Sequence, residues 1–289
     1  MNVIKNRKIY SMISLIIIII GLLMFFVKGL NYGIDFSGGT LIEINVGEFI
    51  EVDEVRKIVD EYDTGASIIH AGSEKDTIII KSTKDLKNNE TTGIINGFVE
   101  KYEIDGENFK SQKIGATISN EIKNKALLST VVATVLMLAY ITWRFQFAFG
   151  LAAIVALAHD ILIMLAVYSI FRIPVNNSFI AAILAVLGYS INDTIVIFDR
   201  IRENLKLYPR ETMEETINKS IKSSLMRTIN TSVTTLVAVV VLYVLGVEDI
   251  KVLALPLIIG IIAGTYSSLF VASPILYELK ARTNTKTAR

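Results

Sequence analysis

The chain alternates long apolar blocks with polar stretches, and the block lengths set the first expectation. A helix crossing ~30 Å of hydrocarbon needs about 20 mostly apolar residues, at ~1.5 Å of rise each. Six windows qualify: 9–27, with the run LIIIII at 15–20 inside it, then 126–143, 147–171, 178–198, 228–247 and 252–277. The first is longer than the apolar core of a typical signal peptide, and no A-x-A site follows it, so it reads as a retained anchor.

Between the first two blocks the periodicity changes. Residues 40–46 (TLIEINV) alternate as a half-buried strand does, and 52–62 (VDEVRKIVDEY) put Val52, Val55, Ile58 and Val59 on one helical face, with Asp53 as the capping residue. Two strands, 67–71 (SIIHA) and 76–82 (DTIIIKS), flank a turn at 72–75. A second helix over 85–102 carries Ile94, Ile95, Phe98 and Val99, and 107–114 (ENFKSQKI) closes as a polar strand. This order is that of the ferredoxin-like split motif, and roughly 80 residues can enclose one small core. The expected fold class is an α-helical membrane protein with six transmembrane helices and an α+β, ferredoxin-like extracytoplasmic domain. Its divisions are 1–27 (N-terminus and first helix), 28–125 (the domain outside) and 126–289 (the remaining helices, with a loop at about 200–226 and a basic tail).

Positive charge orients the bundle, because Lys and Arg collect on the cytoplasmic side. Lys5, Arg7 and Lys8 precede the first helix, and Arg144 lies between the second and third. Arg200, Arg202, Lys206, Arg210, Lys219 and Lys222 follow the fourth, and Lys280, Arg282, Lys286 and Arg289 end the chain. These connections alternate, so both termini are expected in the cytoplasm, with Arg172 and Lys251 as isolated exceptions. The clusters require no role beyond setting topology and touching anionic membrane lipid. With 289 residues and a net charge of +1, no basic excess points to nucleic acid, and the absence of cysteine excludes disulfides and thiol chemistry. His70 and His159 are the only histidines, too few for a metal set, and no phosphate loop, nucleophile elbow or zinc pattern is present. An enzyme or a cofactor is therefore not expected, and the α+β domain reads as a binding or lever element.

The costly positions are the polar residues within the apolar blocks, where a central Asp or Arg costs about 2.5–3.5 kcal/mol on insertion scales. Asp193 lies before the run IVIF at 195–198, with Tyr189 and Asn192 at helical spacing on its face, and Asp199, Arg200 and Arg202 at the cytoplasmic boundary. The fifth helix opens with Arg227, Thr231 and Thr234 or Thr235 in one stripe. Opposite helix directions bring Arg227 to the depth of Asp193, so a buried ion pair between them is expected. The third helix has His159 and Asp160 midway, both able to take part in proton transfer. The alternative for all of these groups is hydrogen bonding that merely holds helices together.

Three motifs carry a family resemblance: NYGIDFSGGT at 31–40, GYSINDTIVIFDRIREN at 188–204 and RTINTSVTTL at 227–236. They closely resemble those of SecF, in the SecD/SecF family of protein-export membrane proteins. The resemblance implies an RND-type half bundle, with SecD supplying the other half and the larger outer domain. It implies use of the proton-motive force to move preproteins across the cell membrane, with SecYEG and a YajC-like subunit as further partners. It implies that Asp193 and Arg227 serve proton conduction and that the Gly38-Gly39 region, in the motif with Asp35 and Phe36, lies near the hinge to the outer domain; Asn192, Thr231, His159 and Asp160 join the proton or ion pathway as candidates on their own chemistry. Na⁺ in place of H⁺, an RND-type exporter of small molecules, and a non-transporting membrane scaffold stay open as alternatives.

Overall fold

The structure is a computed structural model that describes residues 2–72, 74–104 and 108–287, the side chains of 116 and 282–287 excepted. Ser73 of the expected turn, Glu107 of the expected last strand, and the side chains of Arg282 and Lys286 with Arg289 of the basic tail lie outside the described residues. Helix α1 (Arg7–Lys28) leads through a linker and the short α2 (Ile34–Ser37) into β1 (Gly39–Asn45), α3 (Val52–Val59), β2 (Ser67–Ala71), β3 (Thr77–Ser82), α4 (Asn88–Tyr102) and β4 (Phe109–Ile114). Then come α5 (Ala116–Arg144), α6 (Phe147–Phe171), α7 (Asn177–Leu207) and α8 (Met213–Leu245). The last crossing is built of α9 (Glu248–Ser267), a π-helical turn (Ser268–Ala272) and α10 (Ser273–Thr287). Among the described residues, six helices are long and apolar enough to span a membrane.

The sheet has the order β2-β3-β1-β4 and every pairing is antiparallel. Alternation along β1 and β3 turns Ile42, Ile44, Ile78 and Ile80 onto one face, where they bury against Val55 and Val59 of α3 and Ile94 and Phe98 of α4. Full burial of such side chains contributes ~1.5–3 kcal/mol each, which makes this layer the domain's own core. Asp53 does not cap α3. Glu51 holds the extended N-cap position, and Asp53 is already helical, in the first turn with Glu54. There its charge complements the exposed N–H groups without receiving a capping bond.

Several helices outrun the apolar blocks from which they were expected, the last crossing included, which continues helical to Thr287. The α+β domain ends at Ile114, not near 125, because α5 starts at Ala116. The expected loop at 200–226 is mostly a helical hairpin, with α7 continuing to Leu207 and α8 starting at Met213 behind a Thr212/Glu215 capping box. Hydropathy sees the lipid-soluble part alone. The polar extensions stay helical because Ile201, Ile217 and Ile221 bury against Phe198 and Leu276 in a shared core.

The linker between α1 and the sheet is pinned to the α6–α7 turn. Gly33 N–H donates to Val175 O at 2.8 Å, Val175 N–H to Asn31 O at 2.7 Å, and Asn31 Nδ2 to Arg172 O at 2.9 Å. Arg172, an isolated charge in the sequence, donates Nη1 to the carbonyls of Gly29 (2.5 Å) and Lys28 (3.0 Å). Lys251, the other exception, pairs with Glu248 at 2.5 Å. Asp35 accepts from the Asn177 N–H at 2.9 Å, at the first turn of α7, and Phe36 is buried in the cluster of Tyr168, Val175 and Phe179. Gly38 follows at φ 77°, ψ 176°, a region open to glycine almost alone. Gly39 has φ +142°, and a Cβ there would lie 2.1 Å from the Ser82 carbonyl oxygen.

Gly39→Ala should therefore push β1 from β3 and destabilise the α+β domain by about 1–3 kcal/mol. Hydrogen exchange of residues 40–45 in the full chain would show faster opening, whereas wild-type protection would contradict it. Asp63 supplies a pH-dependent test. Burial pushes its carboxyl up, but the Ser82 hydroxyl at 2.6 Å, Lys84 at 3.0 Å and the Gly65 N–H at 3.1 Å hold it below the ordinary carboxylate range. A depressed carboxyl stabilises the fold above its unfolded pKa of ~3.9, and that contribution is lost as pH falls through the folded value. Ser82→Ala should cost the domain about 1–3 kcal/mol at neutral pH, and denaturant melts should show the difference shrinking in acid.

Candidate functional site

Two polar clusters lie inside the bundle, one on each side of α7. The first centres on Asp193, which is 3% exposed. Thr231 Oγ1 and Ser232 Oγ, consecutive on α8, reach its two carboxylate oxygens at 3.5 and 3.4 Å, and Ser232 also meets Thr265 Oγ1 of α9 at 2.6 Å. The same hydroxyls have helix carbonyls in reach, Thr231 that of Arg227 at 3.1 Å and Ser232 that of Thr228 at 2.9 Å. A hydroxyl has one proton to donate, so each can serve the ionised carboxylate or turn back to its own helix.

The expected Asp193–Arg227 ion pair is not formed. Thr231 is the α8 residue that reaches Asp193, and Arg227 stands one helical turn, ~5.4 Å, before it. Arg227 is exposed, and among the described residues no carboxylate forms an ion pair with it. It lines a cavity of about 500 Å³ between the ends of α7 and α8, with Arg144, Val196, Asp199, Arg200 and Glu203. Here the expected boundary residues gather: Arg144 pairs with Asp199 at 3.6 Å, Arg200 with Glu203 at 2.6 Å, and Arg202 donates to the Arg144 carbonyl at 3.4 Å. Asn192 does not share the face of Asp193; it is exposed, in line with Ala181, Ala185 and Gly188. Tyr189 packs instead against Val239, Ala254 and Ile261. Thr231 and Thr234 are also on the outward face of α8.

The second cluster is fully enclosed. Asp160 is 0% and His159 7% exposed. His159 Nδ1 lies 3.0 Å from Asp160 Oδ1, and its Nε2 lies 2.9 Å from Ser14 Oγ of α1. Asp160 Oδ2 accepts from Ser190 Oγ of α7 at 2.6 Å and from Ser267 Oγ of α9 at 2.9 Å. The π-helical turn begins at the next residue, and Ser268 reaches the Ser190 carbonyl at 3.2 Å and Thr194 Oγ1 at 2.8 Å. Ser14, Ser190, Ser267 and Thr265 were not legible as site residues; the signal was an isolated hydroxyl within an apolar run, as at Ser14 in SMISLI. In the α+β domain, His70 is buried with Nε2 2.6 Å from the Ile50 carbonyl, a structural contact.

Residues 95–282 match the family described as protein export membrane protein SecD/SecF, C-terminal, and residues 24–47 match the SecD/SecF GG motif, which takes in Gly38 and Gly39. A protein translocase subunit SecF from Dictyoglomus turgidum is 40% identical over 276 residues, covering 95% of this chain and 94% of that protein. Another from Magnetococcus marinus is 36% identical, covering 99% and 94%. The crystal structure of SecDF, a translocon-associated membrane protein from Thermus thermophilus, is similar over 97% of this chain with a TM-score of 0.82 and 32% identity. This chain spans only 39% of that SecDF chain. With its whole length matched and both motifs in place, the chain belongs to the SecD/SecF family of protein export membrane proteins, among the SecF subunits of the protein translocase.

Proposed function

We propose that the chain works with a SecD-type partner in the Sec machinery, using the proton-motive force to promote preprotein movement across the cytoplasmic membrane. The single observation that carries this reading is Asp193, a buried carboxylate held by two hydroxyls that can turn away from it. Protonated, Asp193 needs neither hydroxyl as a donor, and both can return to the α8 backbone. Ionised, it draws them across and ties α7 to α8. Arg227, one turn away along α8, lines the open cavity and is not locked to Asp193 in an ion pair. A proton crossing the full potential releases ~2.3 kcal/mol per 100 mV, enough to bias a two-state bundle.

Orientation follows from charge. Arg7, Arg144 and Arg200 sit at the end of the bundle away from the sheet, while Arg172 and Lys251 at the sheet end are tied to backbone and to Glu248. This distribution supports the reading with both termini in the cytoplasm and the α+β domain outside. The partner's place follows from uncovered polarity. Asn192 on α7 and Arg227, Asn230, Thr231 and Thr234 on α8 are exposed along helices otherwise soluble in lipid. Such groups are expected to face protein or water rather than acyl chains, so this face is assigned to the SecD-type half. Contacts with SecYEG and a YajC-like subunit rest on the family alone. The chain is given no enzymatic step.

In membrane vesicles holding the chain with its SecD-type partner, Asp193→Asn should abolish the part of preprotein translocation that depends on a proton gradient, and leave the rest. Arg227→Lys should retain more of that part than Arg227→Ala. Full proton-dependent translocation by Asp193→Asn would refute the reading. A response to a Na⁺ gradient alone would keep the site and change the ion.

A further inference from the structure

Helix α1 is tied at its cytoplasmic end by the Arg7–Glu278 ion pair and the Tyr10 contacts, and at its other end by Arg172, but along its length little of it is buried. It buries only Ser14 and Gly21. Gly21 fits because a Cβ there would lie 2.2 Å from the Ala166 Cβ of α6, so the helices touch without side chains between them. Ser14 Oγ lies 2.9 Å from His159 Nε2 and also hydrogen-bonds the Tyr266 hydroxyl. The same helix runs directly into the linker that carries the sheet domain.

We propose that His159 and Asp160 form a second proton-binding site, separate from Asp193, whose occupancy sets how α1 is held against α6; this rests on reading the chain as proton-coupled. Asp160 has no proton to give when ionised, so it accepts from His159 Nδ1–H and from the hydroxyls of Ser190 and Ser267. Neutral His159 then presents a lone pair at Nε2, and Ser14 donates to it. A proton bound at Nε2 reverses that contact: the ring donates and Ser14 must accept. The hydroxyl proton of Ser14 then needs another acceptor. Two are in reach: the Tyr266 oxygen, which already hydrogen-bonds Ser14, and the carbonyl four residues back, that of Tyr10. Tyr266 in turn donates to the Tyr10 carbonyl at 2.8 Å. Protonation thus rearranges the bonds by which α1 meets α6 and α9, while the His159–Asp160 pair loses its net charge.

The neighbours leave this pair to itself. From α9 the titratable group is Tyr266, its ring stacked 6.1 Å from that of His159. From α1 it is Tyr10, stacked on Phe270 of the π-helical turn. Asp193 is one turn along α7 from Ser190, but its contacts run to α8. Lys280 of α10 meets α6 at Phe149 and Thr142 of α5 meets it at Gly150, both well over two turns from His159. Among the described residues, no Lys or Arg forms an ion pair with Asp160.

The chain has no cysteine, so a label pair at Leu23→Cys and Leu162→Cys reports the α1–α6 distance alone. With a cysteine-free SecD-type partner in proteoliposomes, the distance should differ between acid and alkaline buffers. His159→Gln keeps hydrogen-bonding groups but cannot take up the proton, and should abolish the shift. Ser14→Ala should also abolish it, and decides the matter if His159→Gln does not accumulate in membranes. Asp193→Asn should keep the shift while losing proton-driven export. No shift in the wild type, a wild-type shift in His159→Gln and Ser14→Ala, or loss of the shift in Asp193→Asn would each overturn a separate second site. Full export by Asp193→Asn would instead overturn the proton-coupled reading itself.

Discussion

Inside hydrocarbon a polar group has no water to fall back on, so each one must find a partner on another helix or on its own backbone. Asp160 finds two serines and a histidine drawn from α6, α7 and α9, and Asp193 finds two hydroxyls of α8. The positions of α7 and α9 follow from this need. Gly260 and Gly264 let α9 approach α7 until a Cβ on either would strike Val186 or Ser190. That approach brings Ser267 to Asp160. The π-helical turn starting at Ser268 then turns the next hydroxyl onto Thr194, so consecutive residues of one helix serve two neighbours. π-Helical turns are commonly found at functional sites, where an extra residue re-aims a side chain.

The same constraint explains how the α+β domain is attached. Backbone between α1 and β1 would be left open at the membrane surface, and instead it pairs with the α6–α7 turn through Asn31, Gly33 and Val175. Arg172 adopts a left-handed conformation, φ 56°, at the end of α6 and gathers the carbonyls of Lys28 and Gly29. Phe36 then plugs into the bundle. The fixed segment ends with α2 at Ser37, and Gly38 and Gly39 are the first residues beyond it. A movement of α7 therefore reaches the linker through the bond from the Asn177 N–H, on the first turn of α7, to Asp35, and a movement of α1 reaches it through the chain itself.

Much of this was legible in advance, and the failures share one cause. Periodicity located all six spans and the order of the sheet domain, because lipid and a small core each impose a strict pattern on side chains. It misjudged helix ends at 116–125 and around the 200–226 hairpin, where helix continues on the strength of packing by Ile201, Ile217 and Ile221 that no local window contains. Asp193 was legible because a carboxylate before IVIF is costly wherever it points. Its partners were not. A charge invites pairing with the nearest opposite charge, and Arg227 was the natural choice, but register between helices puts Thr231 and Ser232 there instead. Asn192 fails in the same way: adjacent in sequence to Asp193, it lies about 100° round the helix and faces outward.

The missing ion pair bears on how such a bundle could respond to one proton. A buried Asp–Arg pair is strongly destabilised by loss of either partner, so a carboxylate locked in one would resist protonation. Hydroxyl partners at 3.4 and 3.5 Å hold it far less firmly, and each has a carbonyl of its own helix to return to. Arg227 nearby raises the local potential without fixing the geometry. In the proposed second site the His159 ring stands 3.0 Å from the Asp160 carboxylate, and a proton bound there would leave the pair with no net charge. In both clusters the residues that change partners are serines and threonines, whose rotation about one bond is easily reversed. A carboxylate gripped by an arginine would give a stiffer bundle; the two hydroxyls on Asp193 each have a second acceptor within reach on α8.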